Sequence, residues 1–186
     1  MDKLSILKDE ISLIKDASIR EFTESAVDLM PDYIFTIPAS SSGKYHPNYA
    51  LGDGGLIRHV KAAVKIAVTL FGNETITGTF DVHKRDLVIS ALILHDGTKS
   101  GIPKSSYTVE KHPTLMVEHL QSKLDIKHSG ILNEVAPLIA SHMGQWNTDR
   151  SGREVNPKPK SATERFVHLC DYLASRKFLE VNFNAS

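Results

Sequence analysis

The sequence predicts an all-α protein, for three reasons. Apolar residues recur at helical spacing through most of the chain, and no run alternates apolar and polar residues over a length typical of a strand. A capping box, the Ser-x-x-Glu pattern that opens helices, stands at residues 161–164. Because 186 residues suffice for one domain with a sizeable core, we expect a single helical bundle. In it, residues 1–53 form a helix and loop extension that packs on a domain of residues 54–186.

The N-terminal extension begins with an amphipathic helix, because its apolar residues recur three and four positions apart: Leu4, Leu7, Ile11 and Ile14. The apolar residues from Phe22 to Met30 either extend this helix or form a second one. Residues 31–54 contain three prolines and the largely polar run 39–44, a composition typical of a long loop.

Five further helices are expected after this loop. Their predicted ranges, in chain order, are 55–71, 84–95, 113–124, 131–143 and 161–179. Residues 72–80 have a turn-like composition. Pro113 is well placed as the first residue of the third of these helices. Pro137 lies inside the fourth and either kinks it or begins a fresh turn.

Composition and charge exclude several classes of protein. Lys plus Arg and Asp plus Glu both number 22, so no overall electrostatic field favours binding to nucleic acid or a membrane surface. A local basic pocket is compatible with this balance. The charged N-terminus is unlike a signal peptide, and no segment reaches the roughly 18 apolar residues of a membrane span. The single cysteine, Cys170, excludes an internal disulfide framework and a Cys-based zinc site. We therefore expect a soluble, cytoplasmic protein.

The stretch ALILHDGTKSG, residues 91–101, places titratable groups where the pattern predicts a core. The helix before it has apolar residues on every side, which predicts that it is buried. His95 and Asp96 stand at its C-terminal end, where Gly97 stops it, and a carboxylate there faces the negative pole of the helix dipole. A positive charge should therefore compensate Asp96.

His59 and Asp171 lie among apolar helical residues in the same way. Taken alone, such residues have plain explanations: a histidine bonded to a backbone carbonyl, or an aspartate that caps a helix or pairs with Arg165 or Arg176. All of these separate explanations would have to be true at the same time. A single metal ion, in contrast, explains His59, Asp171 and the His-Asp doublet together. Imidazoles and carboxylates that project from different buried helices toward one point form metal sites in bundles.

The order of these residues resembles the HD superfamily of metal-dependent phosphohydrolases, whose fold is a helical bundle. The resemblance covers residues 54–177, and five segments carry it in order: GGLIRHVKAAVKIA, DLVISALILHDGTKSG, YTVEKHPTLMVEHL, PLIASHMGQW and HLCDYLASR. The third and fourth segments add His112 and His142. One departure is at residues 97–98, where the chain has Gly-Thr and the family often has an apolar residue followed by glycine.

The resemblance implies that one divalent cation is held by His59, His95, Asp96 and Asp171. Such mixed nitrogen and oxygen ligands suit Mn²⁺, Fe²⁺, Co²⁺, Ni²⁺ or Mg²⁺. An ion of this kind polarises a phosphoryl oxygen and lowers the pKa of bound water toward neutrality. Asp96 is the ligand best placed to bridge two ions.

Further residues complete the implied site. His112 and His142 either bind a second ion, or act as acids or phosphate-contacting groups around a single ion. Arg58 and Lys99 would neutralise phosphate oxygens, Arg58 through paired hydrogen bonds and Lys99 as a point charge; the alternative is a pair of solvated surface cations. The expected catalytic residues are therefore Arg58, Asp96, Lys99, His112 and His142.

Three functions remain open. We favour hydrolysis of a phosphoester or phosphoanhydride of a small nucleotide, because the chain has no net positive charge and no accessory nucleic-acid module. The second is a 3′–5′ exonuclease or phosphodiesterase acting on single-stranded nucleic acid. The segments around His112 and His142 look most like the HD branch that includes 3′–5′ exoribonucleases, although that branch typically has two adjacent histidines where this chain has His142-Met143. The third is a domain that binds a nucleotide without turnover.

Other residues are secondary candidates. Trp146 and Tyr107 could stack on a base or simply pack. The charged loop 147–160 could contact substrate phosphates or be merely solvated. We expect no membrane partner, and a homo-oligomer is compatible with the sequence.

Five histidines remain. His119 lies two helical turns after His112 and shares its face, which makes it a reserve ligand. His168 precedes Asp171 by three residues and could orient a ligand. The other three are expected to face solvent: His46, His83 and His128.

Overall fold

The computed structural model describes residues 1–40, 43–78 and 80–179. The described residues form eight α-helices, in chain order: α1 Lys3–Ile11, α2 Ala17–Leu29, α3 Gly55–Phe71, α4 Glu74–Thr77, α5 Val82–Leu94, α6 His112–Lys123, α7 Ser129–Ala140 and α8 Ala162–Ala174. Within these ranges there is no β-strand, only an isolated bridge between Thr148 and Glu154. The all-α prediction is confirmed.

Helix α5 lies at the centre of the bundle. Every residue from Asp86 to Leu94 is buried, and the helix contacts α1, α2, α3, α7 and α8. A helix that is apolar around its whole circumference is stable only when other elements cover all of its sides. The predicted position of this helix is therefore confirmed. The His-Asp doublet follows its C-terminal end and so lies in the interior.

The N-terminal segment forms two helices rather than one. Asp16 caps α2 by accepting hydrogen bonds from the backbone N–H groups of Ser18 and Ile19. Apolar side chains of both helices, such as Leu7 and Phe22, belong to the same core as the rest of the bundle. A buried carboxylate on α5, Asp86, accepts hydrogen bonds from the backbone N–H groups of residues 15 and 16.

The long loop before α3 packs closely on the start of that helix. It contains two short 3₁₀ turns, Asp32–Phe35 and Asn48–Ala50, and Ser41 and Ser42 lie outside the described residues. Backbone hydrogen bonds join Ala39 to Ala50 and Leu56 to Ile37. Only glycine fits at position 55, because a Cβ there would lie 2.2 Å from the carbonyl oxygen of Ala50.

The other boundaries differ from the expected ones in detail. Pro137 lies inside α7, which continues to Ala140 before a run of turns begins. The capping box at Ser161 is present and opens α8, but this helix ends at Ala174, and a 3₁₀ turn covers Lys177–Leu179. Thr79, in the stretch expected to be turn-like, lies outside the described residues. In the part of the chain that the structure describes, no helix is long and apolar enough to cross a bilayer.

Candidate metal centre

Six of the predicted site residues converge from five segments of the bundle. His59 projects from the first half of α3, and Asp171 from the last turn of α8. The remaining four stand at the ends of helices: His95 and Asp96 follow α5, His112 is the first residue of α6, and His142 lies in the turn that follows α7.

One group of contacts surrounds Asp171. Its Oδ1 atom lies 2.9 Å from His59 Nε2 and 3.5 Å from His95 Nε2. The Oδ2 atom of Asp96 lies 3.4 Å from His95 Nε2 and 3.9 Å from His59 Nε2. Two imidazole nitrogens and two carboxylate oxygens therefore face one another, as the ligands of one ion would.

A second group of contacts surrounds the other oxygen of Asp96. Its Oδ1 atom lies 2.9 Å from His112 Nε2 and 3.7 Å from His142 Nε2, and these two nitrogens are 3.3 Å apart. The two oxygens of Asp96 thus face different pairs of histidines, which is the arrangement of a carboxylate that bridges two ions.

Backbone hydrogen bonds orient three of these imidazoles. The Nδ1 atoms of His95, His112 and His142 lie 2.7–2.8 Å from the carbonyl oxygens of the residues three positions earlier: Leu92, Val109 and Ile139. A carbonyl oxygen can only accept, so each Nδ1 carries the proton and donates it. In the neutral ring the Nε2 lone pair then points at the carboxylates, which is how a histidine ligand is held for a metal ion.

Several buried polar atoms at this site lack a partner. The Nε2 atom of His95 and the Oδ1 atom of Asp96 make no hydrogen bond with any described residue, and neither does Nδ1 of His59. An unsatisfied buried polar atom costs roughly 1–3 kcal/mol, and more when it is charged. A divalent cation would satisfy the first two atoms, and the mixed nitrogen and oxygen donors suit first-row metals and Mg²⁺. The residues present therefore fit a metal centre.

Two three-residue sets have ligand atoms that all lie within 4.8 Å of one another: His59, His95 and Asp171, and His95, Asp96 and His142. The four histidines and Asp96 are buried, whereas the side chain of Asp171 is 17% exposed. Lys99 is the other partly accessible group, with 14% of its side chain exposed. Solvent and ligands therefore reach the centre past these two residues.

Lys99 lies beside the ligand cluster and pairs with Asp96. It belongs to the turn after the doublet, and its Nζ atom is 2.6 Å from Asp96 Oδ2. With Asp96 and Asp171 both ionised and the imidazoles neutral, as metal ligands must be, this one ammonium leaves an excess of negative charge, which favours cation binding.

Electrostatics keeps the carboxylates ionised. Burial opposes the charge on Asp96, but Lys99 and His95 outweigh it and hold the pKa of that carboxyl well below its usual range. Asp171 has its pKa lowered in the same sense by the neighbouring imidazoles of His59 and His95, against the effect of burial. Burial also opposes a charge on His95, but Asp96 and then Asp171 raise its pKa to about 10.

His46 is a neighbour of the centre that the sequence did not predict. It was expected to face solvent, but its ring is partly buried and meets the His59 ring edge-on, with centroids 5.4 Å apart. Burial first, and then the charge of His59, lower the pKa of His46 to about 4. Its place depends on the long loop folding back over α3, and nothing in the sequence around it signals that contact.

Arg58 is the predicted site residue that the structure does not bring to the ligand cluster. Its guanidinium donates hydrogen bonds to the backbone carbonyls of Tyr49, Leu51 and Asp53. It therefore holds the long loop against the start of α3. A phosphate-binding role for Arg58 has no support in this geometry.

Three further histidines have their contacts away from the ligand cluster. His119, the reserve ligand, bonds to the carbonyl oxygen of Leu29 at the end of α2 and not to the centre. His128, expected to face solvent, is buried against Phe22 instead. His83 is half-exposed and pairs with Glu134, as a solvent-facing histidine can.

His168 holds the turn that carries His142. Its Nδ1–H donates to the carbonyl oxygen of His142 at 2.6 Å. The turn closes around this ring at Gly144, where φ is +59° and a Cβ would lie 2.3 Å from His168. The expectation that His168 orients a ligand is supported, although it acts on His142 rather than on Asp171.

The plain alternatives for Asp171 do not apply. Arg165 donates to the carbonyl oxygen of Lys160, and Arg176 stacks on the Tyr172 ring at 4.5 Å. The partners of Asp171 are the two histidines, so its burial is explained by the cluster and not by an arginine pair.

A comparison with protein families gives an independent result. The family model described as HD domain matches residues 50–176, which is more than half of the chain. No curated protein and no solved structure matches the chain. The matched range contains all six converging residues and Lys99.

Proposed function

The chain belongs to the HD-domain family, whose members are in general metal-dependent phosphohydrolases, and from this premise we propose that it hydrolyses a phosphoester or phosphoanhydride bond of a nucleotide. The observation that carries the proposal is the convergence of imidazole Nε2 atoms on the carboxylates of Asp96 and Asp171. Three of these imidazoles are fixed with the Nε2 atom aimed inward by backbone carbonyls.

In this proposal the six converging residues hold two ions. His59, His95 and Asp171 would hold a first ion together with one oxygen of Asp96. The other oxygen of Asp96 would reach a second ion held by His112 and His142. When bound, such ions supply Lewis-acid polarisation of a phosphoryl oxygen and a water of lowered pKa.

The residues at the opening would handle the substrate. The ammonium of Lys99 is partly exposed and carries the charge that a phosphoryl oxygen needs. Asp171 is the ligand with solvent access, so its carboxylate would orient an attacking water. The buried histidines around them exclude bulk water, which strengthens every electrostatic interaction in the site.

The charges of the loop 147–160 support a small nucleotide rather than a long strand. Arg150 pairs with Glu110, Arg153 with Asp149 and Lys158 with Glu154. A track for single-stranded nucleic acid needs cations that are free to follow the phosphate backbone. Here three of the four loop cations already have acidic partners.

One observation favours the second candidate, a 3′–5′ exonuclease. Trp146 is 44% exposed as a residue, and its ring stacks on that of Tyr172, which follows Asp171 directly, with ring centroids 5.6 Å apart. Exposed aromatic faces beside a phosphohydrolase centre are the surfaces on which bases of an oligonucleotide stack.

Turnover of a defined panel tests the proposal. Nucleoside mono-, di- and triphosphates, cyclic nucleotides and labelled oligonucleotides would each be incubated with Mn²⁺, Mg²⁺ or Co²⁺. We expect a nucleotide to be hydrolysed fastest, and Asp96→Asn to abolish that activity while the exposed control His83→Gln retains it. Faster 3′-end shortening of the oligonucleotide would establish the exonuclease instead, and metal and nucleotide binding without turnover would establish a non-catalytic domain.

A further inference from the structure

A cavity of about 300 Å³ lies directly beside the metal centre. Lys99 forms part of its wall, and the same side chain reaches Asp96 with its ammonium group. The cavity and the ligand cluster are therefore separated by one side chain. Its volume is at the lower end of the roughly 300–1,000 Å³ found for small-molecule sites.

The lining of this cavity has the chemistry of an anion site. It contains two lysines, Lys99 and Lys104, and several hydroxyl groups, including those of Ser106 and Thr108, but no carboxylate. Lys104 is exposed and lies over the ring of Tyr33 at 5.5 Å. No described residue accepts a hydrogen bond from its ammonium, so all three of its donors are free for a ligand.

The N-terminal extension fixes the shape of the cavity. The hydroxyl of Tyr33 donates to the carbonyl oxygen of Gly101 at 2.8 Å and accepts from the N–H of Ser100 at 3.2 Å. Ile37 and Pro38 supply a further part of the wall. The turn that carries both lysines is thus held in place before any ligand arrives, which reduces the entropy lost on binding.

We propose that this cavity binds a second phosphate group of the substrate, while the phosphate that is cleaved lies at the metal centre on the other side of Lys99. The inference rests on the proposed function, since it assigns the cleaved group to that centre. The substrate class it names is a compound with two phosphate groups, either adjoining as in a diphosphate or attached to separate atoms as in a bisphosphate.

Binding of non-hydrolysable phosphonates tests the cavity without turnover. Methylenediphosphonate and methylphosphonate would be titrated by calorimetry in saturating Mg²⁺. We expect wild type to prefer the diphosphonate, and Lys104→Gln to weaken diphosphonate binding about tenfold, the size of one hydrogen bond to a charged group. Methylphosphonate binding should stay unchanged, and Lys104→Arg should retain the preference.

Lys123→Gln is the matched control, because it removes the same charge from an exposed position at the end of α6. Equal diphosphonate binding by Lys104→Gln and wild type would overturn the inference. So would equal weakening of both phosphonates, which would indicate a general loss of charge.

Activity assays separate this inference from the proposed function. ADP and adenosine 3′,5′-bisphosphate would be compared with AMP, and the KM of one of the first two should rise in Lys104→Gln while that of AMP does not. A KM that rises for ADP would identify adjoining phosphates, and a KM that rises for the 3′,5′-bisphosphate would identify phosphates on separate atoms. Hydrolysis of nucleotides with no effect of Lys104→Gln on any KM would overturn the cavity assignment alone. A Lys104-dependent diphosphonate preference in a protein that hydrolyses nothing would support the cavity and overturn the function.

Discussion

The Nε2 atom of His112 lies 2.9 Å from the Oδ1 atom of Asp96, while the Nδ1–H of the same ring is bonded to the carbonyl of Val109. In a neutral ring, a nitrogen lone pair would therefore face a carboxylate lone pair at hydrogen-bond distance. Such a contact is repulsive unless a proton or a metal ion lies between the two atoms. A proton on His112 Nε2 or a metal ion between the two atoms accounts for the contact, and the two-ion proposal assigns it to the second ion.

Divalent metal should stabilise the fold. An ion that binds only the native state at about one hundred times its Kd adds about 2.7 kcal/mol to the free energy of unfolding. For a chain of this size that corresponds to a rise in Tm of about 5–10 °C. Differential scanning fluorimetry with Mn²⁺ and with EDTA measures it, and His95→Ala should lose most of the shift. An identical Tm in both conditions would contradict a metal centre.

The number of ions bound should depend on His142. If Asp96 bridges two ions, His142→Ala should lower the stoichiometry from two to one, because it removes a ligand of the second ion only. Elemental analysis after dialysis measures the ratio of metal to protein, and His83→Ala, an exposed substitution, is the control. One ion per chain in wild type would show a mononuclear centre.

Metal binding should release a proton near neutral pH. In the metal-free centre the carboxylates raise the pKa of His95 to about 10, so its Nε2 is protonated and must lose that proton to become a ligand. The apparent affinity should therefore rise with pH between 6 and 8, by about tenfold per unit for one proton. Calorimetry in buffers of different ionisation enthalpy counts the protons, and an affinity independent of pH would be the contrary result.

Gly144→Ala should damage the centre through the turn that carries His142. The backbone there has φ +59°, and a Cβ would collide with the His168 ring, so we expect a loss of about 1–3 kcal/mol in unfolding free energy together with weaker metal binding. Gly152→Ala is the matched control, since φ is +83° there but no atom lies within 4 Å of the added Cβ. Equal metal affinity in the two variants would show that the collision does not change the position of His142.

Asp86→Ala should destabilise the junction between the N-terminal extension and α5. It removes the acceptor of two backbone N–H groups, for an expected loss of about 2–4 kcal/mol. Asp86→Asn keeps one oxygen and should lose less. Urea unfolding measures both, and an Asp86→Ala variant as stable as wild type would show that water replaces the carboxylate without cost.

The sequence could predict the parts of the fold that depend on local pattern. The all-round apolar character of α5 placed it at the centre, and Pro113 and the Ser161 capping box marked the starts of α6 and α8. Asp96 and Asp171 were identified because a carboxylate among apolar residues needs a counter-charge.

The sequence could not predict contacts made by chain segments that return from a distance. His46, expected to face solvent, lies beside the centre, whereas Arg58, expected to bind phosphate, does not. Both differences arise because the loop that contains His46 folds onto α3, where its carbonyls accept hydrogen bonds from the Arg58 guanidinium. His128 became buried when α2 packed beside it. Helical spacing alone placed His119 on the face of His112, but the end of α2 supplies a nearer partner, the carbonyl of Leu29.

The burial of α5 on all sides also determines how the centre can move. Amide protons in a helix without a solvent-facing side exchange with water only when the whole domain opens, whereas those of surface turns exchange through small local openings. The doublet directly follows this helix. We therefore expect His95 and Asp96 to leave their positions only when the whole domain opens. Residues 102–108 are exposed instead, so their amide protons should exchange through local openings that leave the metal ligands in place.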